Sequence, residues 1–123
     1  MSRSDRNSVQ IVQQRIVVDA RFRVGLARLE LGNLEGAAEA FEKRTAARPE
    51  DAQAWYDLAR TRHRLGRAGE EESALKSALA ARRDFVPALL DLGVLLGARG
   101  DAKGALKLFF AAARAQEHAE VQE

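Results

Sequence analysis

The sequence predicts an all-α fold in which three helical hairpins stack side by side into a short solenoid. Gly32, Gly66 and Gly100 recur at intervals of 34 residues, and apolar positions repeat with the same period. Alanine is abundant and aromatic residues make up only 6% of the chain, which suits closely packed helices better than a sheet. Because one hairpin cannot bury its apolar face alone, a period of this length is typical of stacked repeats.

Three units of equal length tile most of the chain without an insertion. They cover residues 18–51, 52–85 and 86–119, and each is predicted to contain a helix, a turn at glycine and a second helix. At 123 residues the chain forms one domain, whose core depends on neighbouring units covering one another. Equivalent positions carry similar residues: Ala20, Ala54 and Ala88; Val24, Leu58 and Leu92; Gly25, Ala59 and Gly93; Phe41, Leu75 and Phe109.

Residues 1–17 are predicted to form an N-terminal extension that is partly helical. Residues 1–7 are polar and charged, Ser8 suits a helix N-cap, and apolar residues recur at helical spacing from Val9 onward. Two roles stay open for this extension. It either caps the first unit, since solenoids need their end faces covered, or acts as an arm that binds a partner.

The repeat helices are delimited by glycine, proline and capping residues. Glycine is expected just past the end of each first helix, because it enters the left-handed conformation without steric cost. Pro49 stops the second helix, Asp51 suits the N-cap of the third, and Pro87 fits the first turn of the fifth. The second helices of the units are predicted over residues 34–48, 68–82 and 102–117, and residues 120–123 are predicted to be a polar tail.

The period and its motifs resemble the tetratricopeptide repeat (TPR), whose pattern is Trp-x2-Leu-Gly-x2-Tyr, then Ala-x3-Phe, then Pro. The matching residues are Val24-Gly25, Ala37-x3-Phe41 and Pro49 in the first unit, Trp55-x2-Leu58-Ala59 in the second, and Leu92-Gly93 with Ala105-x3-Phe109 in the third. This resemblance implies a right-handed solenoid whose first helices line a concave, ligand-binding surface.

Several residues depart from the TPR pattern. Arg21 replaces the aromatic residue of the first unit, and both Arg28 and Arg62 stand in place of tyrosine. Glu71 occupies the position of a small residue that lets the two helices of a pair approach closely. The packing of the second unit is therefore the part of the fold that the resemblance leaves open.

Composition narrows the classes of function. The chain has no cysteine, which excludes disulfides and thiolate chemistry, and its formal net charge of +2 is too small to indicate nucleic-acid binding by itself. We find no apolar run of secretory or membrane-spanning length in the sequence. The sequence thus predicts a cytoplasmic protein that is not associated with a membrane.

The titratable residues do not form a catalytic or metal-binding pattern. His63 and His118 are the only histidines, and His63 lies among three arginines, which makes it a poor metal ligand or general base. The three consecutive glutamates at residues 70–72 open a helix, where the dipole favours negative charge, so we predict a solvated helix start. The glycines are spread by the repeat and do not form a phosphate-binding loop. We therefore predict a non-enzymatic protein with no cofactor and no metal.

A partner-binding groove is predicted from the TPR resemblance. On the first helix of the second unit, the stripe that includes Trp55 and Leu58 faces the core, which leaves a second face for ligand contacts. Equivalent positions of the other units complete this face, which also includes Glu30, Arg67, Gly97 and Ala98. The predicted groove residues are Phe22, Leu26, Leu29, Tyr56, Arg60, His63, Arg64, Leu90 and Val94.

This groove is predicted to be apolar at both ends and basic and aromatic in its centre. Apolar residues would anchor a peptide or an amphipathic helix, and arginine would bind an acidic group. The alternative is that Phe22, Leu26 and Leu90 are covered by the chain's own N-terminal segment or tail. The Lys/Asn/Arg clamp that chaperone-binding TPR proteins use for a terminal carboxylate is absent here, apart from one basic residue.

A second candidate surface lies on the last helix. Leu106 and Phe110 share one side of it, distinct from Phe109, which matches a core position. Either the tail partly buries these residues, or they support self-association or docking on a larger protein.

The function that these features predict is a protein-interaction module, an adaptor, scaffold or small chaperone-like protein. Its partner is a peptide or an amphipathic helix of another protein, with acidic residues. One alternative is a structural homo-oligomer assembled through the last helix. Another is an RNA-binding repeat, which is disfavoured because the central arginines are confined to one unit. The sequence does not identify the partner, the pathway or the oligomeric state.

Overall fold

The computed structural model describes residue 20 and residues 22–122, and these residues form helices joined by short turns. The first helix, α1, includes residues 22–30. The predicted extension over residues 1–17 lies outside the described residues, as do Arg21 and Glu123. No strand occurs in the described part of the chain. The remaining helices are α2 (Leu34–Ala47), α3 (Ala52–Arg64), α4 (Ala68–Ala81), α5 (Val86–Ala98) and α6 (Ala102–Gln122).

The helices form an all-α repeat solenoid, as predicted. Helix α3 packs on α4 and α5 on α6 within their units, whereas α2 contacts α3 and α4 contacts α5 between units. Each helix is thus packed against its neighbours in the chain. This arrangement positions α3 and α5 side by side, with α4 beneath the space between them.

The turns within the units share one geometry. Gly32, Gly66 and Gly100 have φ of 80°, 74° and 91°, in the left-handed region that glycine enters most easily. In each turn, the amide after glycine donates to the carbonyl five residues earlier, at 2.8–2.9 Å, which closes the end of the first helix. The predicted glycine turns are therefore confirmed.

The predicted caps and helix ends agree closely with the structure, apart from the last helix. The Asp51 carboxylate accepts a hydrogen bond from the Ala54 amide at 3.1 Å, and Pro87 lies in the first turn of α5. Helices α2 and α4 end one residue before their predicted ends. Helix α6 continues to Gln122, so the residues predicted as a polar tail begin inside this helix.

The two arginines that stand in place of tyrosine connect the helices of their units. The Arg28 Nη1 donates to the Gly36 carbonyl at 3.2 Å, and the Arg62 Nη1 donates to the Glu70 carbonyl at 3.1 Å. These contacts are equivalent in the repeat. Arginine therefore ties the first helix of each of these units to the first turn of the second helix.

The core is built from the repeating apolar positions. Ala37, Phe41, Ala74 and Leu75 are buried in one continuous core. Phe109, the third-unit equivalent of Phe41 and Leu75, is 38% exposed, whereas they are 0% and 1% exposed. Coverage by the next unit therefore decides whether this position is buried.

None of the helices in the described residues combines the length and the apolar character needed to cross a membrane.

Candidate protein-interaction cleft

An open cleft of about 420 Å³ lies between α3 and α5. We call it the central cleft. Three helices line it. Helices α3 and α5 form its sides, and α4 contributes Leu75 between them. The apolar lining consists of Ala59, Leu75, Val94, Leu95 and Ala98. A cleft of this size has room for one or two large side chains.

The border of the central cleft is charged. Arg60 and Arg64 are exposed on α3, and Asp91 faces them from α5. The Arg64 Nη1 donates a long hydrogen bond of 3.4 Å to the Leu29 carbonyl and has no carboxylate partner among the described residues. Arg64 is therefore positioned to bind an external acceptor.

A histidine and a glutamate form a further part of this border. The His63 Nδ1 lies 3.0 Å from the Glu71 Oε2, and the Glu71 side chain is buried whereas His63 is exposed. The prediction that residues 70–72 form a solvated helix start is therefore wrong for Glu71. It is also wrong for Glu72, which is bound by Arg99 at 2.8 Å and Lys76 at 3.3 Å. These contacts hold the pKa of Glu72 below its ordinary value, with the hydrogen bond from Arg99 as the largest cause.

Tyr56 anchors a small network beside the central cleft. Burial raises the pKa of Tyr56 to about 12, and the nearby Asp91 carboxylate acts in the same direction. Its ring makes an edge contact with Phe85 at 5.8 Å between centroids, and the Arg60 guanidinium lies 5.9 Å from the Tyr56 centroid. This network holds α3 against α5.

A buried carboxylate lies one residue further along α3. Asp57 accepts a hydrogen bond from the Gln53 amide at 3.1 Å and lies 3.8 Å from the Arg60 Nη1. Burial raises the pKa of Asp57 above its ordinary value, although Gln53 and Arg60 act in the opposite direction. Asp57 therefore helps to fix the position of Arg60.

The structure brings together four of the nine predicted groove residues. Arg60, His63, Arg64 and Val94 line the central cleft, as does Ala98, which the sequence placed on the same face. Leu90 and Tyr56 lie on the same two helices but do not line it.

The predicted groove residues of the first unit lie elsewhere. Leu29 is 9% exposed and belongs to the core, so its placement on the groove is wrong. Phe22 packs against Phe41 at 6.0 Å between ring centroids and lies beneath the Arg44 guanidinium. Leu26 is half-buried against the core. The chain itself therefore partly covers the apolar end formed by these residues.

Sequence reasoning missed several residues of the central cleft. Leu75 and Ala59 were assigned wholly to the core, and Glu71 to solvent, although they line this cleft as well. Asp91 was not singled out, yet it is the repeat equivalent of Asp57. A signal for Glu71 was present, since it occupies a position where a small, closely packed residue is expected.

The described residues contain no group of three metal-ligating side chains placed to hold an ion.

The predicted surface on α6 is open. Leu106 is 55% and Phe110 is 60% exposed. The ring of Phe109, by contrast, packs onto α5 at Gly93.

Stacked hairpins of equal length, closed by equivalent glycine turns and joined by a continuous core, define a helical-repeat solenoid. Residues 28–123 match the family model described as the Cilia and flagella-associated protein 70 middle TPR-like domain. The chain belongs to this TPR-like family. The family has a protein-interaction fold that is generally non-enzymatic. A search among curated proteins finds no matching sequence.

Solved structures support the same fold. A crystal structure of MamA has a TM-score of 0.79 at 20% identity, covering 84% of this chain and 60% of that chain. The chain therefore spans about three fifths of that MamA. The TPR2B domain of yeast Sti1, in a complex with pHsp70, has a TM-score of 0.76 at 18% identity over 84% of this chain and 82% of that chain. The first TPR of Spaghetti (RPAP3), bound to the HSP90 peptide SRMEEVD, has a TM-score of 0.74 at 19% identity. The match covers 81% of this chain and 79% of that chain.

Proposed function

We propose that this chain is a non-enzymatic adaptor, scaffold or small chaperone-like module that holds a segment of a partner protein in the central cleft. The observation that supports this most directly is the combination of an apolar floor with two exposed arginines at its border. The segment is a peptide or an amphipathic helix that contains acidic residues. The proposal places the module in the cytoplasm.

The chemistry of the central cleft suits such a ligand. Val94 and Leu95 offer apolar contact for a partner side chain, whose burial is favourable in proportion to the area removed from water. Arg64 has no carboxylate partner among the described residues, and Arg60 remains largely exposed despite its contact with Asp57. A partner carboxylate therefore does not have to displace a strong internal ion pair.

The similar structures favour peptide binding as the mode of action. The Sti1 and RPAP3 domains are in complex with pHsp70 and with an HSP90 peptide, respectively. Here the positions of the terminal-carboxylate clamp of chaperone-binding TPR proteins are mostly apolar. We therefore expect acidic side chains within the partner segment, in place of a terminal carboxylate, to engage Arg60 and Arg64.

Selection from a random peptide library tests this proposal. A phage library of 12-residue peptides is selected on the native chain, and the selected peptides are labelled for anisotropy measurements. We expect sequences that combine a large apolar residue with an acidic one. The double variant Arg60→Glu/Arg64→Glu should bind them at least about tenfold more weakly, since both charges are reversed.

The matched control is Lys43→Glu/Arg83→Glu, which reverses two exposed charges away from the central cleft. It should change the affinity by less than about twofold. The proposal fails if both double variants weaken binding equally, or if Val94→Asp, which places a charge on the cleft wall, leaves binding unchanged.

A further inference from the structure

The outer face of α6 differs from the corresponding faces of the inner units. In the repeat, Phe110 is equivalent to Glu42 and Lys76, and both of these residues carry charge. Leu106 is likewise equivalent to Ala38 and Glu72. The two most exposed apolar positions of α6 are therefore more apolar than the equivalent positions of the first two units. The α6 face thus differs in chemistry from the faces that pack between units.

The inner interfaces show which charges face each other between units. Glu42 lies 3.7 Å from Arg62, and Glu72 lies 2.8 Å from Arg99. A third link joins Glu35 to Arg67 at 2.7 Å. In each case the earlier unit supplies a carboxylate and the later helix or turn supplies an arginine.

On α6 one of these carboxylate positions carries the opposite charge. Lys103, at the position equivalent to Glu35, is exposed, and Lys107 and Arg114 are exposed further along the helix. None of the three has an ion-pair partner in the described part of the chain. At about 100° per residue they fall within about 40° of one another around the helix axis. We call them the basic stripe.

An apolar ridge runs beside the basic stripe. Leu106, Phe110 and Ala113 are exposed, and helical geometry places them within about 60° of one another, on the side of the stripe nearer to Phe109. The ridge and the stripe together extend over three turns of α6. A helix that packs on this ridge would bring one of its flanks against the three cations.

We propose that the outer face of α6 is a second docking site, which binds an amphipathic helix of another protein that carries carboxylates beside its apolar ridge. The apolar ridge supplies the contact area, and the basic stripe selects the charge of the partner. This site is separate from the central cleft and does not depend on the function proposed for it.

A second copy of this chain fits the site poorly. In a two-fold pairing of α6 helices the same flank of each copy meets, so that with Phe110 at the centre Lys107 approaches the copy's Arg114. In that arrangement Glu117 of one copy offsets the charge of Lys103 of the other, and Lys107 and Arg114 stay without a carboxylate. A second copy that stacked on α6 as the next repeat unit would place its α1 against this face. The one carboxylate among the described residues of α1 is Glu30, which is equivalent to Arg64, so it would face the groove side and not the basic stripe.

Two designed peptides test the site with the full chain. Both are labelled 21-residue amphipathic helices with a leucine ridge, flanked by glutamate in one and by lysine in the other. We expect the glutamate peptide to bind and the lysine peptide to bind at least about tenfold more weakly. Because the glutamate peptide also suits the central cleft, both peptides are measured on the Arg60→Glu/Arg64→Glu chain. In this background Phe110→Asp and Lys103→Glu/Lys107→Glu should each lower the affinity for the glutamate peptide about tenfold or more.

A charge-swap measurement distinguishes loss of the docking site from misfolding of the variant. The variant Lys103→Glu/Lys107→Glu should gain affinity for the lysine peptide, which an unfolded chain would not do. Two results would overturn the proposal: equal binding of the two peptides in the Arg60→Glu/Arg64→Glu background, or no binding of the glutamate peptide in that background. A dimeric mass in sedimentation that becomes monomeric in Phe110→Asp would assign the face to a second copy instead.

Discussion

Tyr56 lies beside the central cleft and contacts residues of the next unit. The carboxylate of Asp91, from the next unit, lies near its hydroxyl, and its ring packs against Phe85. Both burial and the nearby carboxylate disfavour the charged phenolate, so the neutral form persists to higher pH. Tyr56 thus connects α3 and α5 at the point where the two helices flank the cleft.

Tyr56 is the only tyrosine of the chain, so its ionisation is measurable directly by ultraviolet absorbance. We expect the phenol to titrate with a pKa of about 12, above its ordinary value of 10.0. Circular dichroism at each pH establishes that the chain is still folded. The variant Asp91→Asn should lower the pKa of Tyr56, since it removes a negative charge beside the hydroxyl. A native midpoint close to the ordinary value in the folded chain would contradict the buried network.

At the scale of helices, close contact between the two members of a pair depends on small residues. In the third unit a Cβ added to Gly93 would lie 2.5 Å from the Phe109 Cε1, and in the first a Cβ at Gly25 would lie 3.0 Å from the Phe41 Cε1. The helices are therefore packed at a distance that leaves no room for a methyl group at Gly93.

The substitution Gly93→Ala should lower the free energy of unfolding by about 1–3 kcal/mol, because the Phe109 ring must move away from α5. The matched control is Gly69→Ala in α4, where an added Cβ meets no atom within 4 Å. That change should be neutral or stabilising by up to about 1 kcal/mol. Urea unfolding of both variants makes the comparison, and equal effects would show that the Phe109 contact is not tight.

At the scale of the whole molecule, stability arises between units as much as within them. Leu75 is buried beneath the helices that meet at the central cleft, and ionic links such as Glu72 to Arg99 cross the same boundary. The ionic links are partly exposed and contribute little by themselves. The apolar contacts between units therefore carry most of the coupling.

A pair of identical substitutions measures this coupling. Leu75→Ala should lower the free energy of unfolding by about 2–5 kcal/mol, since it leaves a cavity between units. Leu106→Ala removes the same atoms from an exposed side chain and should change the free energy of unfolding by less than about 0.5 kcal/mol. Thermal or urea unfolding monitored by circular dichroism compares them. Similar losses in both would indicate that α6 is already covered by another part of the molecule.

Much of this architecture could be predicted because it follows from local chemistry repeated along the chain. Three glycines at one spacing specify three left-handed turns, and Asp51 and Pro87 mark helix starts by capping and by ring geometry. The end of α6 was underestimated because no glycine or proline marks it. The TPR-like family was recognisable for the same reason, since its pattern consists of residues that set helix ends and helix spacing.

The composition of the central cleft was predictable only in part. Periodicity identifies which side of α3 carries Arg60 and Arg64, because helical spacing is a property of one element. It does not reveal that Leu29 turns into the core, or that α4 contributes Glu71 and Leu75 from below. These placements depend on the distances and angles between helices.

Local sequence alone specified the repeat, the helix starts, the glycine turns and the apolar face of α6, since each of these depends on residues close together in the chain. Which charges are already paired was settled by the packing of the helices. Glu71 contacts His63 and Glu72 is paired with Arg99, whereas Arg64 forms no ion pair among the described residues. Pairing is a matter of distance in space, and packing between helices sets that distance.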